Sequence, residues 1–193
     1  TTSGGIGGEN GLMNTNTQIL IEGQSIGEFY GYKFYGIKSD GSWVYETPAG
    51  GYTSSPVESH RQALGNAQPA VTYGWNNTVK WRDLDMTIFF RGVIGNKILN
   101  MARLYAEDMR TNKNQCASVA HRWRKNGDVT DIPRAMNASA GTSYNALVSD
   151  RYVEKGDFCR LNNLRLSYSF NPKSLKKLGL SQLNMSLSGD NIF

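Results

Sequence analysis

Arg151-Tyr-Val-Glu-Lys-Gly-Asp-Phe-Cys-Arg-Leu-Asn-Asn-Leu-Arg-Leu-Ser-Tyr-Ser-Phe170 is the stretch whose reading decides the fold. In its second half Leu164, Leu166, Tyr168 and Phe170 alternate with Asn163, Arg165, Ser167 and Ser169. Successive side chains of a strand point to opposite faces, so the segment builds one oily face and one polar face. The pattern recurs upstream. Val71, Tyr73, Trp75, Val79 and Trp81 share one face, while Thr72, Gly74, Asn76, Thr78 and Lys80 share the other. Leu84, Met86, Ile88 and Phe90 then alternate with Asp85, Thr87, Phe89 and Arg91. Only Arg82-Asp83 separates these two runs, which is the spacing of a tight hairpin. Near the C-terminus Leu183, Met185 and Leu187 alternate with Asn184, Ser186 and Ser188.

The connections between these runs are unequal. A long one follows Ile37, a short one Trp81, a long one Gly92 and a short one Phe170. Antiparallel membrane-spanning barrels have short periplasmic turns and longer extracellular loops, and their strands alternate rather than run continuously apolar. The expected fold is therefore all-β: antiparallel membrane-spanning strands forming part of a large outer-membrane β-barrel. Loops 38–67 and 93–150 are expected outside, and turns 82–83 and 171–181 on the periplasmic side. Lys80, Asp85, Arg91 and Arg165 are expected to face the lumen. Trp75, Trp81, Met86, Ile88, Leu166 and Leu187 are expected to face lipid, with the two tryptophans at the two membrane interfaces. An Arg or Lys on the lipid face near mid-bilayer costs roughly 2–4 kcal/mol, which fixes that choice of side.

Composition agrees. The chain has 193 residues, 39% hydrophobic, with 21 glycines and 11% aromatics. No apolar run is long enough for a transmembrane helix, which alternating strands do not need. The opening Thr1-Thr-Ser-Gly-Gly-Ile-Gly-Gly lacks a basic segment followed by an apolar one, so the sequence is expected to be mature or internal. A net charge of +5 permits acidic partners, but the cations are scattered and the one tight cluster is His121-Arg-Trp-Arg-Lys125. Nothing in that pattern points to nucleic acid. Cys116 and Cys159 show neither the CxxC spacing of a zinc site nor a disulfide framework.

Elsewhere the pattern is mixed. Thr17–Glu22 reads as a short strand, and Ser25–Ile37 as an extended segment dense in Tyr, Phe and Gly. Residues 38–67 read as loop, with a short hairpin around Trp43-Val-Tyr45. Ile98, Met101, Ala102, Tyr105 and Met109 fall at helix spacing, which predicts a helix over 97–109 capped by Asn96. About six membrane-type strands result, whereas the smallest single-chain barrels have about eight. Open edges in lipid would leave backbone groups unpaired, so the chain is expected to be a piece of a larger barrel or to assemble with copies of itself.

Several segments, in order and spacing, resemble the SusC/RagA family of TonB-dependent outer-membrane receptors. They are Ser25-Ile-Gly-Glu-Phe-Tyr-Gly-Tyr-Lys33, Leu64-Gly-Asn-Ala-Gln-Pro-Ala-Val-Thr-Tyr-Gly74 and Asp85-Met-Thr-Ile-Phe-Phe-Arg-Gly-Val-Ile-Gly-Asn96. Further on come Arg122-Trp-Arg-Lys-Asn-Gly-Asp-Val-Thr-Asp-Ile-Pro-Arg134, Gly156-Asp-Phe-Cys-Arg-Leu-Asn-Asn-Leu164, Lys176-Lys-Leu-Gly-Leu180 and Ser188-Gly-Asp-Asn-Ile-Phe193. The resemblance covers most of residues 20–193. It implies a barrel of about 22 strands, of which residues 1–193 would be a late portion, with the plug domain and last strands absent. It also implies an importer of glycans or oligopeptides, a SusD-like surface lipoprotein as lid, and TonB-ExbB-ExbD acting through the missing N-terminal part. The chain departs from the family at Ser42-Trp-Val-Tyr-Glu-Thr-Pro, where many relatives carry Asp-x-Asn-x-Asp-Gly, so no calcium site is carried over. No metal and no cofactor is expected.

Catalysis finds no support. His60 and His121 are the only histidines, and neither stands at a family spacing from a nucleophile. Gly4-Gly-Ile-Gly-Gly8 lacks the preceding strand and the Lys of a phosphate loop. The chain is not expected to be an enzyme. The polar Arg122–Arg134 segment supplies Arg122, Trp123, Asp128, Asp131 and Arg134 as candidate contacts to substrate or lid. A Trp flanked by Arg stacks on a sugar, holds a carboxylate, or braces a loop. The alternative to an importer is a soluble or cell-surface β-sandwich binding module for carbohydrate, whose oily strand faces a second sheet would cover.

Overall fold

The computed structural model describes residues 2–6, 15–109, 113–136, 147–171, 175–176 and 179–192. They fall into two compact units, one of residues 1–68 and 96–155, the other of residues 69–95 and 156–193.

The N-terminal part of the first unit holds the strands β1 (Thr2–Ile6), β2 (Thr15–Ile19), β3 (Glu28–Gly31), β4 (Lys33–Ile37), β5 (Trp43–Glu46), β6 (Tyr52–Thr53) and β7 (Gln62–Asn66). They form two antiparallel sheets, ordered β1-β2-β3-β7 and β4-β5-β6. The expected loop 38–67 is therefore a folded element, and the reading of it as loop with a lone hairpin is corrected. Its turn formers mark only the corners, while Trp43 and Tyr45 are buried at 1% and 0% exposure. The segment Ser25–Ile37 is likewise two strands rather than one. Tyr32, at the break, makes a parallel bridge with Ser149 instead. At Gly31 the backbone passes so close to the Val148 carbonyl and the Leu64 side chain that a Cβ would overlap both.

The rest of this unit holds β10 (Lys97–Leu99), the helix α1 (Met101–Ala106) and β11 (Val153–Lys155), with β10 antiparallel to β11. The helix is shorter than predicted over 97–109, because Lys97–Leu99 pairs as a strand and Asn100, not Asn96, is the cap. The Asn100 carboxamide oxygen accepts the Arg103 amide at 2.9 Å, satisfying one of the donors a helix start leaves open. Its core residue is Leu104, fully buried, whereas Ile98 is 53% exposed. Tyr32, Trp43, Tyr45, Leu104, Val148 and Tyr152 make one apolar cluster. Asn100→Ala is expected to cost about 1 kcal/mol, the usual worth of an N-cap, and to raise amide exchange at Arg103. Unchanged exchange there would refute the cap.

The second unit is one antiparallel sheet of four strands. These are β8 (Val71–Trp81), β9 (Leu84–Ile94), β12 (Phe158–Ser169) and β13 (Asn184–Asp190), in the order β13-β12-β9-β8. The hairpin β8–β9 closes through Arg82-Asp83, as the spacing predicted, with Trp81 opposite Leu84. Arg82 takes φ +55° to make the turn, and its guanidinium lies 5.4 Å from the Trp81 ring.

Candidate functional site

The register of the four-stranded sheet sorts its side chains. Residues opposite one another in an antiparallel ladder share a face, and Lys80 opposes Asp85, Thr78 opposes Thr87 and Gly74 opposes Arg91. Across β9, Thr87 opposes Arg165, Asp85 opposes Ser167 and Arg91 opposes Arg160. Arg165 in turn faces Ser188, and Ser167 faces Ser186. All of these lie on one polar face. The other face carries Trp75 with Phe90, Val79 with Met86, and Trp81 with Leu84, then Ile88 with Leu164 and Met86 with Leu166, then Leu166 with Leu187.

A bulge makes this sorting possible. Leu161 opposes Phe90 while Asn163 opposes Phe89, leaving Asn162 as the extra residue. Without it Leu161 and Asn163 would share a face. With it every apolar residue of β12 after Cys159 falls on the apolar side, and the strand reads as alternating only from Asn163 onward. Thus Lys80, Asp85, Arg91 and Arg165 stand together on one face, and Trp75, Trp81, Met86, Ile88, Leu166 and Leu187 together on the other.

The apolar face is open. Trp75, Trp81 and Leu187 are 55%, 65% and 76% exposed. Trp75 stacks on Phe90 at 5.7 Å between ring centroids. The polar face holds a shallow trough of about 370 Å³ lined by Thr78, Lys80, Asp85, Thr87, Arg165 and Ser167, among others. Lys80 and Asp85 approach to 3.9 Å with both side chains well exposed, an ion pair of little energetic weight.

The first unit has a different chemistry, built on a buried arginine. Arg151 is 4% exposed and donates to Glu107, itself 5% exposed, at 2.9 Å. Its other terminal nitrogen pairs with Asp131. The guanidinium lies over the rings of Trp43 and Phe34 at 5.6 and 5.8 Å. Glu107 also accepts from Arg103 at 3.1 Å and from Ser118 at 3.2 Å. Arg103 continues the chain of charges to Glu154 at 3.2 Å. One network therefore ties α1, the segment 113–136 and β11 together. Sequence reasoning missed Arg103, Glu107 and Arg151. Only Arg103 and Glu107, four apart, left a local signal.

The candidate contacts of segment 122–134 are used internally to different degrees. The Trp123 amide donates to the Ile132 carbonyl at 2.9 Å, and its ring packs on Gly41, where a Cβ would collide with the indole and φ is +78°. The Arg134 amide donates to the Gly41 carbonyl at 3.0 Å. Asp128 accepts from the Arg124 and Lys125 amides at 2.8 and 2.9 Å, and these bonds hold its carboxyl below the usual range. Burial would lift Asp131, but Arg151 prevails and holds it below the ordinary value as well. Among the described residues the Arg122 guanidinium donates to the Val119 carbonyl, at 3.5 Å. Arg124 is exposed. Asp150 is the opposite case: burial raises its carboxyl although it accepts the Phe34 amide at 2.8 Å.

A depressed carboxylate contributes stability above its unfolded value, near 4, and loses it as pH falls through the folded one. Asp128 and Asp131 should therefore hold the segment at neutral pH and release it only below about pH 4. Asp128→Ala should free the 124–128 turn at neutral pH and speed tryptic cleavage after Arg124 and Lys125 several-fold. A cleavage rate equal to wild type would show that the turn does not depend on this carboxylate.

An antiparallel sheet of long strands, one face apolar and open and the other polar, is the wall of an outer-membrane β-barrel. Comparison with protein-family models finds no match. The TonB-dependent receptor P3 of Formosa agariphila is 30% identical over 196 residues, covering 94% of this chain and 19% of that protein. The TonB-dependent receptor P26 of the same organism is 28% identical over 195 residues, with the same coverage of 94% and 19%. The chain thus spans only 19% of the length of these relatives. Among solved structures, a chain of the RagAB peptide importer in its closed-closed state superposes with TM-score 0.74 at 19% identity. The match covers 92% of this chain and 21% of that one. The open-open state gives 0.73 at 19% identity, covering 92% and 20%. Over nearly its whole length, the chain is similar to a segment of these TonB-dependent receptors.

Proposed function

We propose that residues 1–193 form part of the barrel wall of an outer-membrane, SusC/RagA-type importer that takes up oligopeptides or glycans. A SusD-like surface lipoprotein would act as its lid, and TonB-ExbB-ExbD would drive it through a part of the receptor outside this chain. The protein is a transporter on this reading and not an enzyme. The observation that carries it is the register of the four-stranded sheet, which gathers Trp75, Trp81, Met86, Ile88, Leu166 and Leu187 on one face, the side this reading gives to lipid. The same register gathers Lys80, Asp85, Arg91 and Arg165 on the other face, the side this reading gives to the lumen. Kinship with TonB-dependent receptors and the shared fold with the RagAB importer support it. A carbohydrate-binding sandwich would bury the apolar row against a second sheet, whereas Trp81 and Leu187 stand exposed.

Loops 38–67 and 93–150 would lie on the outer side, and the segment 122–134 would carry the lid or substrate contacts, with the half-buried Arg122 and Arg134 as candidate cations and Trp123, Asp128 and Asp131 holding its shape. Two measurements test this on the intact receptor in the outer membrane. In a background with Cys116 and Cys159 replaced by serine, a water-soluble thiol reagent should label T87C and leave I88C unlabelled. Labelling of I88C alone would reverse the faces. Arg122→Glu with Arg134→Glu should lower co-purification of the lipoprotein while the barrel still assembles. Full recovery of the lipoprotein would remove this segment from the lid interface.

A further inference from the structure

On the polar face two arginines stand directly opposite each other: Arg91 of β9 and Arg160 of β12 are cross-strand partners. Like charges in that position, with Cβ atoms about 5 Å apart, repel and destabilise a sheet. Neither has an ion-pair partner among the described residues. Arg160 turns its guanidinium toward the Phe158 ring at 4.8 Å, and both side chains are exposed. The carboxylates of the same face are engaged elsewhere, Asp85 beside Lys80 and Asp190 in a 2.7 Å bond from Asn163. On the β8 side Arg91 is opposite Gly74, over which the uncharged Phe89 ring lies, so no carboxylate meets the pair there. The two arginines are thus cross-strand neighbours, exposed and without an ion-pair partner among the described residues, and both side chains are long enough to donate to one carboxylate between them.

We propose that Arg91 and Arg160 form a carboxylate-binding station on the lumen wall, taking the anionic group of a solute in transit, such as a peptide C-terminus, an acidic side chain or a uronic acid. The proposal rests on the polar face being the lumen face. It assigns this receptor an anionic cargo, or at least a cargo bearing one carboxylate, and makes the repulsion between the arginines the source of its affinity.

The test uses the intact receptor without Cys116 and Cys159. A cysteine is introduced by Asn76→Cys, on the same face and beside Gly74, and separately by Thr78→Cys, nearer the compensated Lys80–Asp85 pair. Each is reacted with an anionic sulfonate reagent and a cationic trimethylammonium reagent of equal size, with and without glutarate as the carboxylate probe. The anionic-over-cationic rate ratio at N76C should exceed that at T78C by about tenfold at low salt, as two nearby unit charges imply. Glutarate should slow the anionic reagent at N76C. Arg91→Gln with Arg160→Gln should abolish both effects while the barrel keeps its heat-resistant mobility. Equal ratios at the two sites, or no protection by glutarate, would overturn the proposal and mean that a carboxylate of the receptor itself already neutralises the pair. Loss of the folded barrel in the double variant would overturn it in the same way. Failure of either reagent to reach N76C would instead overturn the assignment of this face to the lumen.

Discussion

Arg151→Met should loosen the first unit by about 3–5 kcal/mol, the cost of removing one partner from a buried ion pair. Methionine replaces the aliphatic stem but leaves Glu107, 5% exposed, without the 2.9 Å bond it accepts from Arg151. Arg103 and Ser118 remain as its donors, yet Arg103 already shares its charge with Glu154. Asp131 is 64% exposed, so water replaces its lost partner at little cost. The measurable consequence is hydrogen exchange at Leu104, Glu107 and Val119, which should accelerate by about two to three and a half orders of magnitude, at a factor of ten per 1.4 kcal/mol. Adding Glu107→Leu should recover much of the loss, since an apolar pair of similar volume is often no worse than a buried salt bridge. Exchange within twofold of wild type in the single variant would show that the network carries no such weight. Arg151→Lys should fall between, because a single ammonium cannot serve two carboxylates from a planar fork.

Ile88→Arg should cost roughly 2–4 kcal/mol in the bilayer, whereas Thr87→Arg, one residue away, should be tolerated. The difference arises only from the period of two. Ile88 opposes Asn77 and Leu164 on the apolar face, and Thr87 opposes Thr78 and Arg165 on the polar one. Urea titration of the intact receptor in vesicles, followed by the mobility of the folded barrel on unheated gels, reads the difference as a shifted midpoint. Equal midpoints for the two variants would mean that the register is wrong or that the sheet does not meet lipid, because a one-residue slip exchanges every side chain between faces.

The long sheet was legible because its information is local. Alternation in Val71–Trp81, Leu84–Phe90 and Asn163–Phe170, together with the two-residue spacer Arg82-Asp83, determines strands, hairpin and faces with no knowledge of distant residues. The predicted sorting of Lys80, Asp85, Arg91 and Arg165 against Trp75, Ile88, Leu166 and Leu187 recurs in the register for that reason. The bulge at Asn162 was not legible, since it appears only when β12 is laid against β9 and Leu161 has to meet Phe90. Residues 38–67 misled in the opposite direction. Their glycines and prolines read as loop, but Trp43 and Tyr45 are strand residues whose burial depends on Leu104, Val148 and Tyr152 from far along the chain. The helix shifted for a similar reason, as Lys97–Leu99 found a strand partner in Val153–Lys155. By itself, then, the sequence determined the two-faced sheet, because a period of two is written in neighbouring residues. Tertiary structure alone decided the fold of the first unit and the roles of Asp131 and Arg151. A buried charge is stable only where its counter-charge arrives, and here that partner lies 20 residues away for Asp131 and 44 for Glu107.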